Sequence, residues 1–288
     1  MVRIKLIIQL FLYMAFLMPV ANANSDTGYN VAKKITQRYF DNQIYCGDDG
    51  LPAFLCSGVI IRGTVASDKY HSWNPSPTSQ RRGGVSFSYL RSDVKIAELE
   101  INHHNGYIFS PYLESLDNTD SPKINPEILC YFPIDGGTDA RNDKGCGSYS
   151  GYPDRGSCQQ QNITTAEQWV NNYVNVNNYD RDAQCGFDVT GDGSADIFMQ
   201  AIKVSSLIDL SLNNELVLAV WDQDIPEKLP IEAFFYQNDG LQDAQHDQKD
   251  FYQSTGILLP IIKITFPRDK SEDVRFTYDQ EDQVNINE

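Results

Sequence analysis

Three short segments place side chains that could bind an anion and stabilise a developing cation next to apolar runs. Arg62 follows the run "VII", Ser86 and Ser88 alternate with Phe87 in "GVSFSYL", and Glu215 opens "ELVLAVW". A guanidinium grips a phosphate or a carboxylate through two parallel hydrogen bonds. A carboxylate beside a sugar hydroxyl stabilises the positive charge that develops when a glycosidic bond breaks. Together these residue types predict a site for a phosphate-bearing sugar ligand.

Each of these residues also has an ordinary structural interpretation. A strand-terminal arginine is commonly a surface charge, and alternating serines are typical of any half-exposed strand. The acidic member is open as well, because Glu98 and Glu100 share one face of "AELEI" and are alternatives to Glu215. Three aromatic residues are candidates for stacking on a flat ring of the ligand, although each also suits a core position: Tyr70, Trp73 and Phe87.

The elements that must position these side chains follow from hydrophobic periodicity, which mixes helices and strands without βαβ regularity and therefore predicts an α+β fold. Helices are predicted over residues 30–42, 163–174 and 197–210, and strands over 58–62, 84–90, 127–134, 215–221, 231–236 and 257–266. Thr164 and Glu167 predict a capping box for the second helix. Asn105-Gly106 predicts a hairpin turn, and the polar segment 240–250 predicts a loop.

The chain begins with the residue order of a secretory signal. Two basic residues precede an apolar run that ends in "VANAN", and this run is shorter than the ~20 continuous apolar residues of a membrane span. We therefore expect residues 1–23 to be a signal peptide. Since no Pro/Gly/Ser-rich linker divides the remainder, we expect residues 24–288 to form a single secreted or periplasmic catalytic domain with no membrane span.

The charge of the chain limits its partners. The 288 residues carry a formal net charge of -16, which disfavours nucleic acid and anionic membranes at long range. An anionic ligand would consequently need a local basic pocket. Arg62, Arg81 and Arg82 are the residues that we expect to supply it.

The six cysteines all follow the predicted signal, and an even number in an exported chain indicates disulfides. No pair is spaced as CxxC, which argues against a zinc site. Six cysteines allow fifteen connectivities. We predict the pairing of neighbours along the chain: Cys46 with Cys56, Cys130 with Cys146, and Cys158 with Cys185.

Two further motifs could carry chemistry. In "DVTGDGSADI", Asp188, Asp192 and Asp196 occupy positions typical of a Ca²⁺ loop, but the twelfth position holds Met199 where a bidentate glutamate belongs. Ca²⁺ binding and a plain Asp/Gly turn are both open. His71 beside Ser72 suggests a serine hydrolase, but the chain lacks the G-x-S-x-G elbow.

The order of the three segments has a family resemblance. In sequence, "IIRGT", "GVSFS" and "NNELVL" resemble the arginine, Ser-x-Ser and catalytic-glutamate strands of the ADP-ribosyltransferase fold. The resemblance implies a split β-sheet core with helices and disulfide-tied loops. It also implies that Glu215, Ser86 and Arg62 are catalytic, and that Arg62, Ser88 and Phe87 bind NAD.

A second resemblance covers nearly the whole chain after the signal. Segments such as "PAFLCSGVIIRGT", "YHSWNPSP", "QCGFDV" and "QKDFYQSTG" are similar to the secreted bacterial halovibrin family, which implies a toxin-like enzyme with NAD as its substrate. Transferases that modify arginine resemble one another in a Glu-x-Glu motif, whereas Asn213 stands two residues before Glu215. Water then becomes the expected acceptor, which favours an NAD glycohydrolase. The alternatives are a mono-ADP-ribosyltransferase that modifies a host protein and a non-catalytic, Ca²⁺-dependent binding module.

Overall fold

The computed structural model describes residues 25–47, 50–64, 71–74, 84–94, 96, 99, 103–110, 127–137, 146–149, 151–153, 155–210, 212–219, 230–269 and 271–285. Five groups of predicted features lie outside these residues: the signal peptide, Tyr70, Arg81, Arg82, and the Glu98/Glu100 pair. Among the described residues, no helix is long and apolar enough to cross a membrane.

A nine-stranded sheet forms the centre of the molecule, beside a small two-stranded one. The strands are, in chain order, β1 (Tyr45–Cys46), β2 (Leu51–Pro52), β3 (Val59–Thr64), β4 (Val85–Leu90), β5 (Asn105–Phe109), β6 (Glu127–Phe132), β7 (Phe187–Asp188), β8 (Glu215–Ala219), β9 (Ile231–Tyr236), β10 (Ile261–Thr265) and β11 (Arg275–Tyr278). The large sheet has the order β11-β10-β9-β5-β3-β4-β8-β6-β7, and β1 pairs with β2. Within it, β9 and β10 are parallel and the other neighbours are antiparallel.

The described residues form four α-helices, α1 (Ser25–Phe40), α2 (Ala166–Asn171), α3 (Ser194–Leu207) and α4 (Leu241–Thr255). Of these, α2 packs against α3. On α3, Phe198 contacts the rings of Tyr89 and Tyr131, and on α4 Phe251 contacts Phe234. Strand register places these contacts on one side of the sheet, which we call the front face. The opposite side is the back face, where α1 packs on β11. The chain is therefore an α+β protein, as predicted.

The sheet divides between β3 and β4. Val59, Ile60 and Ile61 pair with β4, but the remaining residues of β3 pair only with β5. Correspondingly, Val85–Phe87 of β4 pairs only with β8. We call this division, bounded by residues 62–64 and 85–87, the split. Arg62, Gly63 and Ser86 are half-buried whereas most of their strand neighbours are buried, as expected for residues that border an opening.

The three predicted disulfides are confirmed. Cys46 is bonded to Cys56, Cys130 to Cys146, and Cys158 to Cys185, with sequence separations of 10, 16 and 27 residues. Disulfides form and persist in oxidising compartments, in agreement with the expected export.

Two predictions of loops and turns are wrong. Asn105-Gly106 lies inside β5 and not in a hairpin turn, because a glycine is required there for close packing: a Cβ on Gly106 would lie 1.9 Å from the carbonyl oxygen of Arg62. Segment 240–250 belongs to α4 and not to a loop, because Ala244, Gln248 and Phe251 recur at helical spacing and are buried.

The capping box of α2 is present but begins one residue later than predicted. Thr165 is the N-cap, and its hydroxyl accepts a hydrogen bond from the backbone N–H of Gln168 while the Gln168 side chain accepts from the backbone N–H of Thr165. The predicted pair of Thr164 and Glu167 is shifted by one position because both neighbouring residues have the required chemistry.

Candidate active site

The strands that carry the predicted site residues are neighbours in the sheet. β4 lies between β3, which carries Arg62, and β8, which begins at Glu215. Arg62 and Glu215 are therefore two strand positions apart across the sheet. Phe87 pairs with Leu216, so the next step of the same register sets Ser88 opposite Glu215. The fold therefore brings three segments that are distant in sequence into one region.

Glu215, Ser88 and Asn213 form a cluster on the back face. The Asn213 side-chain amide donates to the Ser88 hydroxyl at 3.1 Å, as expected for side chains that share a face. Glu215 is 1% exposed, and its carboxylate accepts a hydrogen bond from the backbone N–H of Gly136 at 2.8 Å. The turn that contains Gly136 is itself fixed to β8, since the Asp135 N–H donates to the Asn213 carbonyl at 2.6 Å.

The side chain of Arg62 points from β3 to the front face of the sheet and not to the back face. Its strand neighbour Ile61 pairs with Ser88, and alternation turns Arg62 to the side of Phe87, whose ring centroid is 5.9 Å from the guanidinium carbon. The guanidinium nevertheless reaches across the split, where it donates to the Ser86 carbonyl oxygen at 2.6 Å. Arg62 thus marks the margin of the split and does not share a sheet face with Glu215.

The aromatic candidates within the described residues are part of the core. Phe87 is 1% exposed and packs against Phe109, with ring centroids 5.1 Å apart. Trp73 is fully buried and makes an edge-to-face contact with Phe251 at 5.0 Å. Neither ring is accessible for stacking on a ligand in this structure.

The predicted Ca²⁺ loop is a tight turn that precedes α3. Asp188 accepts hydrogen bonds from the backbone N–H and the hydroxyl of Thr190, at 2.9 and 2.6 Å, and Asp196 accepts from the Tyr45 hydroxyl at 2.5 Å. Over the described ranges, which include Asp188, Asp192 and Asp196, no three acidic, histidine or cysteine side chains are grouped as metal ligands. Ca²⁺ binding stays a prediction for which the geometry offers no support.

A second polar cluster, centred on Asp247 of α4, lies on the front face near the end of β3. The Asp247 carboxylate accepts hydrogen bonds from Ser72, from Asn105 at 2.8 Å and from Thr64 at 3.3 Å. Asp247 is 5% exposed, and this burial raises its pKa above the ordinary value of an aspartate. We call these four residues the Asp247 cluster.

One helical turn further along α4, Asp250 holds the same short segment of chain. Its carboxylate pairs with the His71 ring at 2.6 Å and accepts from the Trp73 indole N–H at 2.9 Å. His71 and Ser72 therefore bond two different aspartates instead of one another, unlike a serine-hydrolase pair. From the sequence, segment 240–250 was predicted to be a polar loop whose Asp and Gln side chains could line the same cleft, and the contacts of these two aspartates with Ser72 and His71 were not predicted. The spacing of Ala244, Gln248 and Phe251 was the signal that could have identified the helix.

Comparison with known protein families and with curated proteins finds no match to this chain. The resemblances to the ADP-ribosyltransferase fold and to the halovibrin family consequently stay predictions.

Proposed function

We propose that this chain is an NAD glycohydrolase, an enzyme that cleaves the bond between nicotinamide and ribose in NAD. The observation that carries the proposal is the split beside the back-face cluster. Arg62 borders one side of the opening, Ser86 borders the other, and Glu215 lies on the next strand opposite Ser88.

Each residue type suits a separate task in this reaction. The guanidinium of Arg62 would bind the pyrophosphate, exchanging its bond to the Ser86 carbonyl for a charge-assisted pair. The Glu215 carboxylate would accept a hydrogen bond from the ribose 2-hydroxyl and stabilise the oxocarbenium-like transition state. Ser88, held by Asn213, would orient the ribose or the carboxylate.

Access to Glu215 requires a local rearrangement. The carboxylate lies under the turn at Gly136, and the N–H of that residue occupies one of its lone pairs. The substrate would have to displace this turn, with the ribose hydroxyl replacing the Gly136 N–H as the donor. We therefore expect displacement of this turn to precede the chemical step.

Hydrolysis is favoured over transfer to a protein by the residue at position 213. Asn213 has its amide nitrogen committed to Ser88 and to the Asn214 carbonyl, and it has no carboxylate with which to activate an acceptor. Water is then the simplest acceptor. A mono-ADP-ribosyltransferase acting on a host protein would need its activating group from elsewhere.

The proposal is tested by incubating the protein, with its three disulfides formed, with NAD and measuring the release of nicotinamide. We expect Glu215→Gln to lower kcat by roughly 10²–10³-fold, the usual loss when one transition-state contact is removed. The glutamine keeps a side-chain oxygen that can accept from Gly136, so the fold should survive. Glu272→Gln, a change at an exposed position, is the matched control. Absence of release by the unmodified protein, or full release by Glu215→Gln, would refute the proposal.

A further inference from the structure

The Asp247 cluster joins four parts of the chain at one carboxylate. Thr64 ends β3, Asn105 begins β5, Asp247 lies in α4, and Ser72 belongs to the segment that connects β3 to β4. Asn105 also donates to the Thr64 hydroxyl at 3.2 Å, which makes the strand ends mutually dependent. The NAD reaction described above uses none of these side chains.

The position of Thr64 relates this cluster to the split. Thr64 is two residues beyond Arg62 on the same strand, so both side chains point to the front face. Here β3 has lost its pairing with β4, and one of its two edges is without a strand partner among the described residues. The Asp247 carboxylate is a contact from outside the sheet that holds this part of β3. Arg62, the residue that borders the opening, is carried by the same short stretch.

Ser72 adds a second constraint on the same opening. The chain must pass from β3 on one side of the split to β4 on the other, and Ser72 lies on that connection. Asp247 holds Ser72, while Asp250 holds His71 and Trp73. Residues 71–73 of the connection and the end of β3 are thus fixed to the same face of α4.

We propose that Asp247 is a positioning residue that fixes the end of β3, and with it the guanidinium of Arg62, at the margin of the split. This inference rests on the proposed function for its kinetic consequence but not for its structural one. A buried carboxylate surrounded by neutral donors costs free energy that an apolar side chain would avoid. An apolar residue at this position, however, would leave Thr64, Asn105 and Ser72 without their shared acceptor.

Two variants separate the ties that Asp247 makes. Thr64→Val removes the Asp247 contact to β3, together with the Asn105–Thr64 hydrogen bond, with little change of volume, whereas Ser72→Ala removes only the contact to the connection. Asp247→Asn retains one acceptor oxygen for Asn105 and is the conservative variant. Asp243→Asn, a change at an exposed position in the first turn of the same helix, is the control.

Hydrogen exchange tests the structural part of the proposal. We expect Thr64→Val to increase exchange in peptides that cover Val59–Thr64, while peptides covering Ile261–Thr265 and the Asp243→Asn control stay unchanged. Unchanged exchange in β3, or an equal increase in β10, would overturn the positioning role. The exchange measurement decides the structural role of Asp247 whether or not the protein consumes NAD.

Kinetics tests the consequence for the proposed reaction. If Arg62 binds the pyrophosphate, Thr64→Val should raise the KM for NAD by about tenfold while kcat stays within about twofold, because Glu215 lies on a different strand. Asp247→Asn should raise the KM for NAD less than Asp247→Ala does, because asparagine keeps one acceptor oxygen for Asn105. A fall in kcat with an unchanged KM would contradict the positioning of Arg62. No nicotinamide release by the unmodified protein would instead refute the glycohydrolase, leaving the exchange result to decide the role of Asp247.

Discussion

Glu215 and Asp247 are the two carboxylates that the described part of the chain buries most deeply, and they are held differently. Glu215 accepts from a backbone N–H, which a mobile substrate can replace, whereas Asp247 accepts from three side chains on different segments. The exposed His246 ring lies 4.0 Å from the Asp247 carboxylate. The three side-chain donors suit Asp247 to holding separate segments of the chain together.

The raised pKa of Asp247 predicts a specific pH dependence of stability. Because burial raises the pKa of Asp247 in the folded state above the ordinary value of 3.8, the folded protein takes up this proton at a higher pH than the unfolded chain does. The stabilising contribution is then complete below about pH 3.8 and is lost as the pH rises through the folded pKa.

The test compares the unmodified protein with Asp247→Asn by urea unfolding between pH 4 and pH 8. As the pH falls, the unmodified protein should gain stability relative to the variant, by at most about 1.4 kcal/mol per pH unit. The other ionisable groups are the same in both proteins, so their contributions cancel to first order in the difference. If the difference in unfolding free energy between the two proteins stays constant with pH, or changes in the opposite direction, burial does not raise the pKa of Asp247.

At the scale of elements, the site depends on where strand pairing stops. β3 and β4 pair over three residues and then separate, while each continues with its other neighbour. The glycine at position 106 allows β3 and β5 to approach closely at the same level, since a Cβ there would collide with the Arg62 carbonyl. The opening is thus a consequence of backbone pairing and not of side-chain size.

The N-terminus of α2 offers a test of an element boundary. Thr165 is the N-cap, and its loss to alanine should lower the free energy of unfolding by about 1 kcal/mol, because the N–H of Gln168 loses its acceptor. Thr164→Ala is the matched control, and it should cost less than about 0.5 kcal/mol because Thr164 is exposed. If chemical denaturation shows equal losses of unfolding free energy in the two variants, Thr165 is not the N-cap of α2.

For the whole molecule, the three disulfides all lie in the part of the chain up to Cys185. Cys46 and Cys56 lie between α1 and β3, Cys130 is on β6, and Cys158 and Cys185 stand on either side of α2 in the sequence. No cysteine follows Cys185 in the sequence, so β9, β10, β11 and α4 carry no disulfide. The parts of the chain before and after Cys185 are therefore stabilised by different means.

This asymmetry predicts unequal effects of removing cross-links. In the chain-entropy description, the Cys158→Ala/Cys185→Ala pair should cost about 0.9 kcal/mol more than Cys46→Ala/Cys56→Ala, because it opens the longer loop. Hydrogen exchange in α2 and β7 should rise in the first variant while β10 and β11 keep their protection. Uniform loss of protection across the molecule would show that the parts of the chain before and after Cys185 unfold as one unit.

The sequence by itself determined the elements whose signals are local. Helical spacing of apolar residues predicted α1 and α3, alternation predicted β3, β4 and β9, and the even cysteine count with neighbour pairing predicted all three disulfides. These predictions succeed because the governing contacts lie within a few turns of chain or within short loops.

Only the tertiary structure decided which side chains meet. The register of β3 against β4 turns Arg62 to the front face while Ser88 and Glu215 face the back, and no local pattern encodes a pairing between strands so far apart in sequence. The same is true of Asp247, whose three partners come from three other segments. From sequence alone, an aspartate is expected to be exposed, because a buried carboxylate is tolerated only where several hydrogen-bond donors converge on it. That convergence depends on the tertiary structure.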